Sequence, residues 1–85
     1  MYAVEFTPTA RRNLRSLPEK IATACAEFIH GPLARNPHRV GKPLVGALAG
    51  HHSARRGSYR VVYRVDQDRL VVLVVRVDHR ADVYR

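Results

Sequence analysis

His51–Val65 reads HHSARRGSYRVVYRV, and its second half settles what kind of chain this is. Tyr59, Val61, Tyr63 and Val65 recur at every second position, so they share one face of a strand, while Arg60 and Arg64 share the other. His51–Arg56 forms a preceding strand, Gly57-Ser58 supplies the tight turn, and Tyr59–Val65 returns antiparallel. Tyr59 and Tyr63 belong to the packed face with the valines. The other face carries charge. Between Glu27 and Asp66 the chain holds no carboxylate, yet it holds Arg35, Arg39, Lys42, Arg55, Arg56, Arg60 and Arg64. A merely solvated surface normally mixes both signs.

Outward from this hairpin, Asp66–Arg69 makes the next loop, and Leu70–Val77 is apolar on both faces apart from Arg76. That composition places it in the middle of a sheet with helices on one side. Toward the N-terminus, Tyr2, Val4 and Phe6 alternate with Ala3 and Glu5, predicting a first strand. Thr7-Pro8 then supplies a capping hydroxyl and a first-turn proline, and Ala10, Leu14 and Leu17 follow at helical spacing. A second helix opens at Pro18-Glu19 with Ile21, Ala24, Cys25, Phe28 and Ile29 as its apolar stripe, and Gly31-Pro32 is its expected stop. Pro32–Gly50 reads as an irregular connection, with a helical turn near Leu33 and a short strand near Leu44. The expected class is α+β: an N-terminal strand, a helical hairpin, then a three-stranded antiparallel meander, all in one domain spanning residues 1–85.

The chain has 85 residues and a formal net charge of +8, which favours polyanionic partners. The longest apolar run, Leu70–Val75, is far below the roughly 20 residues that a membrane span needs. No secretory signal pattern opens the chain, so a cytoplasmic location and no membrane partner are expected. The one cysteine, Cys25, sits on the helical apolar stripe and reads as a core residue. Gly41-Lys42-Pro43 lacks the spacing and hydroxyl of a phosphate-binding loop. His38, His51, His52 and His79 come without the cysteine pairs, helical histidine spacing or carboxylates of a metal site. Ser53 and Ser58 lack the glycine elbow of a hydrolase nucleophile. What remains is a cationic, ring-bearing face suited to phosphate.

Five segments in this order, LPEKI from Leu17, GKPL from Gly41, the spacing L-x-G-x-x-S-x-R from Leu48 to Arg55, YRVVYRV from Tyr59 and the closing HRADVY from His79, resemble the RelE branch of the RelE/ParE toxin superfamily. The resemblance implies the toxin of a type II toxin–antitoxin system: a ribosome-dependent endoribonuclease that cuts messenger RNA and inhibits translation. It implies attack by the ribose 2′-hydroxyl on phosphorus, a cyclic phosphate and a free 5′-hydroxyl, with no metal or other cofactor. Arg60 and Arg80 match the family's arginines that hold the charged transition state, with Arg55 beside them, and Tyr84 matches its C-terminal tyrosine. His79 is the expected proton donor, standing near a histidine of the related YoeB toxins. His51, or Arg55 as a relay, is the expected acceptor. Lys42, His51, Ser53, Arg56 and Arg64 are the expected RNA contacts. His51 and Ser53 stand where the archetype carries two lysines. Expected partners are the ribosome and messenger RNA, an acidic antitoxin of RelB-like or Phd/YefM-like type, and promoter DNA bound as the toxin–antitoxin complex. Two alternatives stay open: a ParE-like toxin acting on gyrase, and a catalytically inert nucleic-acid-binding homologue.

Overall fold

The computed structural model describes residues 1–79. Its elements run β1 (Ala3–Phe6), α1 (Pro8–Ser16), α2 (Glu19–Phe28), α3 (Pro37–Val40), β2 (Lys42–Pro43), β3 (His52–Arg56), β4 (Tyr59–Asp66) and β5 (Val71–His79). The five strands form one sheet in the order β1-β5-β4-β3-β2. β5 is interior: β1 pairs with it in parallel and β4 pairs with it antiparallel. The valine-rich composition of β5 follows from that position, since both of its edges are hydrogen-bonded and its helix side is buried, with Val72, Val74 and Val77 in the core.

The helices form as the local chemistry dictates. Thr7 is extended, its Oγ1 accepts from the Ala10 amide at 3.1 Å, and Pro8 opens α1 with a pre-set backbone. Leu17 precedes Pro18 and is therefore extended, which ends α1 and lets α2 begin at Glu19. Gly31-Pro32 does not stop the helix as the sequence predicts. A π-helical turn over Ile29–Leu33 carries it onward with Pro32 inside. The wider turn accommodates a ring and a missing amide that regular α-helical spacing would not. The gain is that Ile29 and Leu33 are both fully buried.

The sheet departs from the expected meander at three points. A fifth strand, Lys42–Pro43, lies on the outer edge of β3, two positions before the strand expected near Leu44. Leu70 does not start β5; it takes φ 54 in the turn and is 48 % exposed. His51 precedes β3, which begins at His52.

All helices lie on one face of the sheet. Ala10, Cys25, Phe28, Ile29 and Leu33 pack there against Ala54, Tyr59, Val61, Tyr63, Val72, Val74 and Val77. Those strand positions reveal a break in alternation on β5, where 72 and 74 are inward but so is 77. The cause is a bulge: Tyr63 pairs with Val74 and Val62 with Arg76, leaving Val75 without a partner. Two side chains from the α1 end hold it. The Thr7 hydroxyl donates to the Val75 carbonyl at 2.7 Å, and Asn13 Oδ1 accepts from the Val77 amide at 3.0 Å. Past the bulge the faces of β5 are exchanged, so Val77 and His79 share the helix side and Arg76 and Asp78 share the open side.

Candidate nucleic-acid site on the open face of the sheet

On the helix-free face, cross-strand register assembles two rows. Lys42, Ser53, Val62 and Arg76 form one, and Arg55, Arg60 and Asp78 form the next. Directly paired residues on one face have Cβ atoms roughly 4.5–5.5 Å apart, so Arg55 and Arg60 stand side by side. Their like charges repel, and an anion bound between them relieves that repulsion. Both border an open groove of about 540 Å³, lined also by Val40, Lys42, Leu44 and Ser53. Three cations and a hydroxyl thus converge on a hollow with apolar walls, a setting for a phosphodiester.

The segment carrying Val40, Lys42 and Leu44 is held from behind. The Tyr63 hydroxyl, buried on the helix side, donates to the Pro37 carbonyl at 2.6 Å. Gly41 lies against that phenol so closely that an added Cβ would stand 2.9 Å from the Ser53 carbonyl oxygen and 3.0 Å from Tyr63 Cζ. His52 stacks on Tyr63 with ring centroids 5.5 Å apart and meets His38 edge-on at 5.7 Å. His38 in turn bonds Gln67 at 2.9 Å. These histidines serve as packing between α3 and β3; among the described residues no group of three possible metal ligands converges. Burial, and then the neighbouring His38, lower the pKa of His52. Burial pushes Tyr63 up to about 12 and Cys25 up to about 11, so neither supplies a proton-transfer group near neutrality. Tyr59 is also raised, chiefly by burial, with its hydroxyl turned to the Ala24 carbonyl on α2.

Of the residues expected at the site, Lys42, Ser53, Arg55 and Arg60 come together. Others do not join them. Arg56 pairs with Tyr59 on the helix side, its guanidinium 4.4 Å over the Phe28 ring, where a cation–π contact occupies it. Arg64 keeps the open face but lies four residues along β4 from Arg60, bordering a separate hollow with Glu5, Asp66, Asp68 and Arg69. His51 sits before β3 with Nδ1 3.2 Å from the Leu48 carbonyl oxygen, outside the groove lining. His79 pairs with Tyr59 on the helix side, and the sheet separates it from Arg60. Arg80 and Tyr84 lie outside the described residues. Sequence reasoning missed Asp78, which stands beside the groove lining as the open-face partner of Arg60 and accepts from Arg76 Nε at 3.2 Å. The alternation Arg76-Val77-Asp78 carried that signal.

Among the described residues no helix is long and apolar enough to cross a membrane. Comparison with known proteins agrees with the architecture. The family model for the ParE toxin of type II toxin–antitoxin systems matches residues 4–84. Toxin RelG of Mycobacterium tuberculosis is 57% identical over 84 residues, covering 99% of this chain and 97% of that protein. Toxin RelE of the same organism is 55% identical over 84 residues, covering 99% and 87%. The crystal structure of the M. tuberculosis toxin–antitoxin complex RelBE2 matches with TM-score 0.91 and 56% identity over 93% of this chain and 98% of that one. Isolated E. coli RelE shares the fold, with TM-score 0.77 at 20% identity over 93% of this chain and 84% of that one. Sheet, helical layer and sequence together establish that this chain belongs to the RelE/ParE family of toxins of type II toxin–antitoxin systems.

Proposed function

We propose that the chain is a RelE-like endoribonuclease that cuts ribosome-bound messenger RNA through the ribose 2′-hydroxyl, with no metal taking part. The observation that carries this reading is the side-by-side placement of Arg55 and Arg60, with Lys42 and Ser53, in one groove on the open face. In this reading the two guanidinium groups hold the scissile phosphate and stabilise the extra negative charge that develops as the 2′-oxygen attacks. Lys42 neutralises a neighbouring phosphate, and Ser53 donates a hydrogen bond. Arg80 and Tyr84 join them by their match to the family's closing motif. This reading assigns His79 no part at the Arg60 phosphate, in keeping with its pairing with Tyr59 on the helix side.

The reading also assigns an acidic, RelB-like antitoxin as partner. Similar structures include the RelBE2 toxin–antitoxin complex of M. tuberculosis and the intact RelBE complex of E. coli, and a +8 surface steers an anionic chain toward itself. The toxin–antitoxin pair would then act on promoter DNA together.

Mapping new 5′-hydroxyl ends on messenger bound to ribosomes tests the activity. Arg60→Ala is expected to slow cleavage by about 10²–10³-fold, the effect of removing one preorganised donor from a developing charge. Equal cleavage by the variant overturns the role of Arg60. A wild-type chain that leaves messenger intact but traps cleaved DNA on gyrase overturns the ribonuclease reading in favour of gyrase poisoning.

A further inference from the structure

The proposed reaction needs a group to take the 2′-hydroxyl proton, and neither expected candidate is placed for it. His51 precedes β3 and has no partner on β4, with its Nδ1 against the Leu48 carbonyl, and Arg55 is a cation with no free lone pair to take a proton. Resting on the ribonuclease reading, we propose that Asp78 is this acceptor.

Three observations converge. First, Asp78 is the direct cross-strand partner of Arg60, and the bulge at Val75 sets both on the open face, so the carboxylate stands within one residue's width of the phosphate that Arg60 would hold. Second, the carboxylate is held in place: Arg76 Nε reaches Oδ2 at 3.2 Å, while the Asp78 side chain remains 33% exposed. One oxygen is thus oriented by a guanidinium and the other is left for a substrate hydroxyl. Third, among the described residues Asp78 is ion-paired with Arg76 and not with Arg60. Arg60 is thus not neutralised by its strand partner, and its guanidinium and the second Asp78 oxygen both remain available to a ligand on this face. Arg76 in contact and Arg60 on the adjacent strand flank the carboxylate, which offsets part of its repulsion of the substrate phosphate.

The step balances. Asp78 takes the 2′-hydroxyl proton as the 2′-oxygen bonds to phosphorus. The bond from phosphorus to the 5′-oxygen breaks, and that oxygen leaves with the electron pair and takes a proton from water. The products are a 2′,3′-cyclic phosphate and a free 5′-hydroxyl, and Asp78 returns its proton to solvent. No oxidant, metal or cofactor enters.

The test compares wild type, Asp78→Asn, Asp78→Glu and Arg76→Ala in single-turnover cleavage on programmed ribosomes across a range of pH, beside binding to the same complexes. Asp78→Asn is expected to slow cleavage by about 10²–10⁴-fold, the usual contribution of a positioned base, with binding retained. Wild type is expected to lose rate on the acid side, and Asp78→Asn is expected to abolish that loss. Asp78→Glu should restore part of the rate and the acid-side fall, and it reads the proposal independently if the asparagine variant fails to fold. Arg76→Ala should lower the rate while keeping the acid-side fall, as loss of an orienting neighbour does. Wild type that cuts beside an Asp78→Asn that cuts equally well, or with an unchanged pH profile, overturns the role of Asp78 alone. Wild type that leaves no new 5′-hydroxyl ends overturns this proposal and the ribonuclease reading together.

Discussion

Deleting Val75 is the most direct way to ask whether the bulge sets the two faces of β5. Loss of one residue inside a strand ordinarily reverses the orientation of everything beyond it and is ruinous where one face is buried. Here it should not be. Val75 has no partner on β4, so its removal lets Val74 and Arg76 follow each other opposite Tyr63 and Val62 in a regular ladder. Val72, Val74 and Val77 stay inward, and Arg76 and Asp78 stay outward. What is lost is the hydrogen bond from Thr7 to the Val75 carbonyl, worth about 1 kcal/mol, and part of the bond from the Val77 amide to Asn13, worth about another. The expected cost is therefore about 1–2 kcal/mol, or roughly 4–16 °C in melting temperature for a domain of this size. Deleting Val77 instead draws Asp78 toward the apolar position beside Val61, where an unpaired carboxylate is severely destabilising. Thermal and urea unfolding of the two deletions against wild type is the assay. If the Val75 deletion unfolds as readily as the Val77 deletion, the bulge does not govern which residues face the open side, and the placement of Asp78 falls with it.

Two further outcomes follow from the support behind the groove. Gly41→Ala should destabilise by about 1–3 kcal/mol through overpacking against Tyr63 and the Ser53 carbonyl, and the penalty should shrink in a Tyr63→Phe background; additive losses in a double-mutant cycle would contradict the contact. His52 gives a pH dependence: its folded pKa lies below the ordinary 6.5, so the unfolded chain binds the proton more readily and stability rises with pH. Its contribution should be complete above about pH 6.5 and decline as pH falls toward the folded pKa. His52→Phe, which keeps a ring on Tyr63, should flatten this dependence in urea unfolding, and an unchanged slope would exclude His52 as its source.

Much of this architecture was legible because it is local. The alternation through Tyr59–Val65 separates a core face from a charged one within seven residues, and Thr7-Pro8 marks a helix start by chemistry confined to one turn. The groove's Arg55 and Arg60 followed from the same alternation. The rest depended on distant partners. Nothing in VVLVV announces a bulge, since every residue there is apolar; it is fixed by Thr7 and Asn13, 68 and 64 positions away from the groups they bind. Without it, His79 and Asp78 cannot be assigned to a face. Arg56 deceived for a related reason: a guanidinium over the Phe28 ring needs α2 to pass beneath the end of β3, which only the tertiary structure supplies. Gly31-Pro32 is a strong local stop that lost to packing, because continuing through a π turn buries Ile29 and Leu33.

The parallel pairing of residues 3–6 with residues 71–74 also bears on how such a toxin is born. During synthesis the leading strand emerges early and finds no partner until the trailing strand has followed it out, because nothing made in between offers the same edge. Such distant pairing is slow to close and late to reward the chain. Asp78, the cross-strand partner of the groove's Arg60, lies on that trailing strand, so this face too is unfinished while translation proceeds. Under the ribonuclease reading proposed above, a nascent copy is expected to stay inactive until its last strand has left the ribosome.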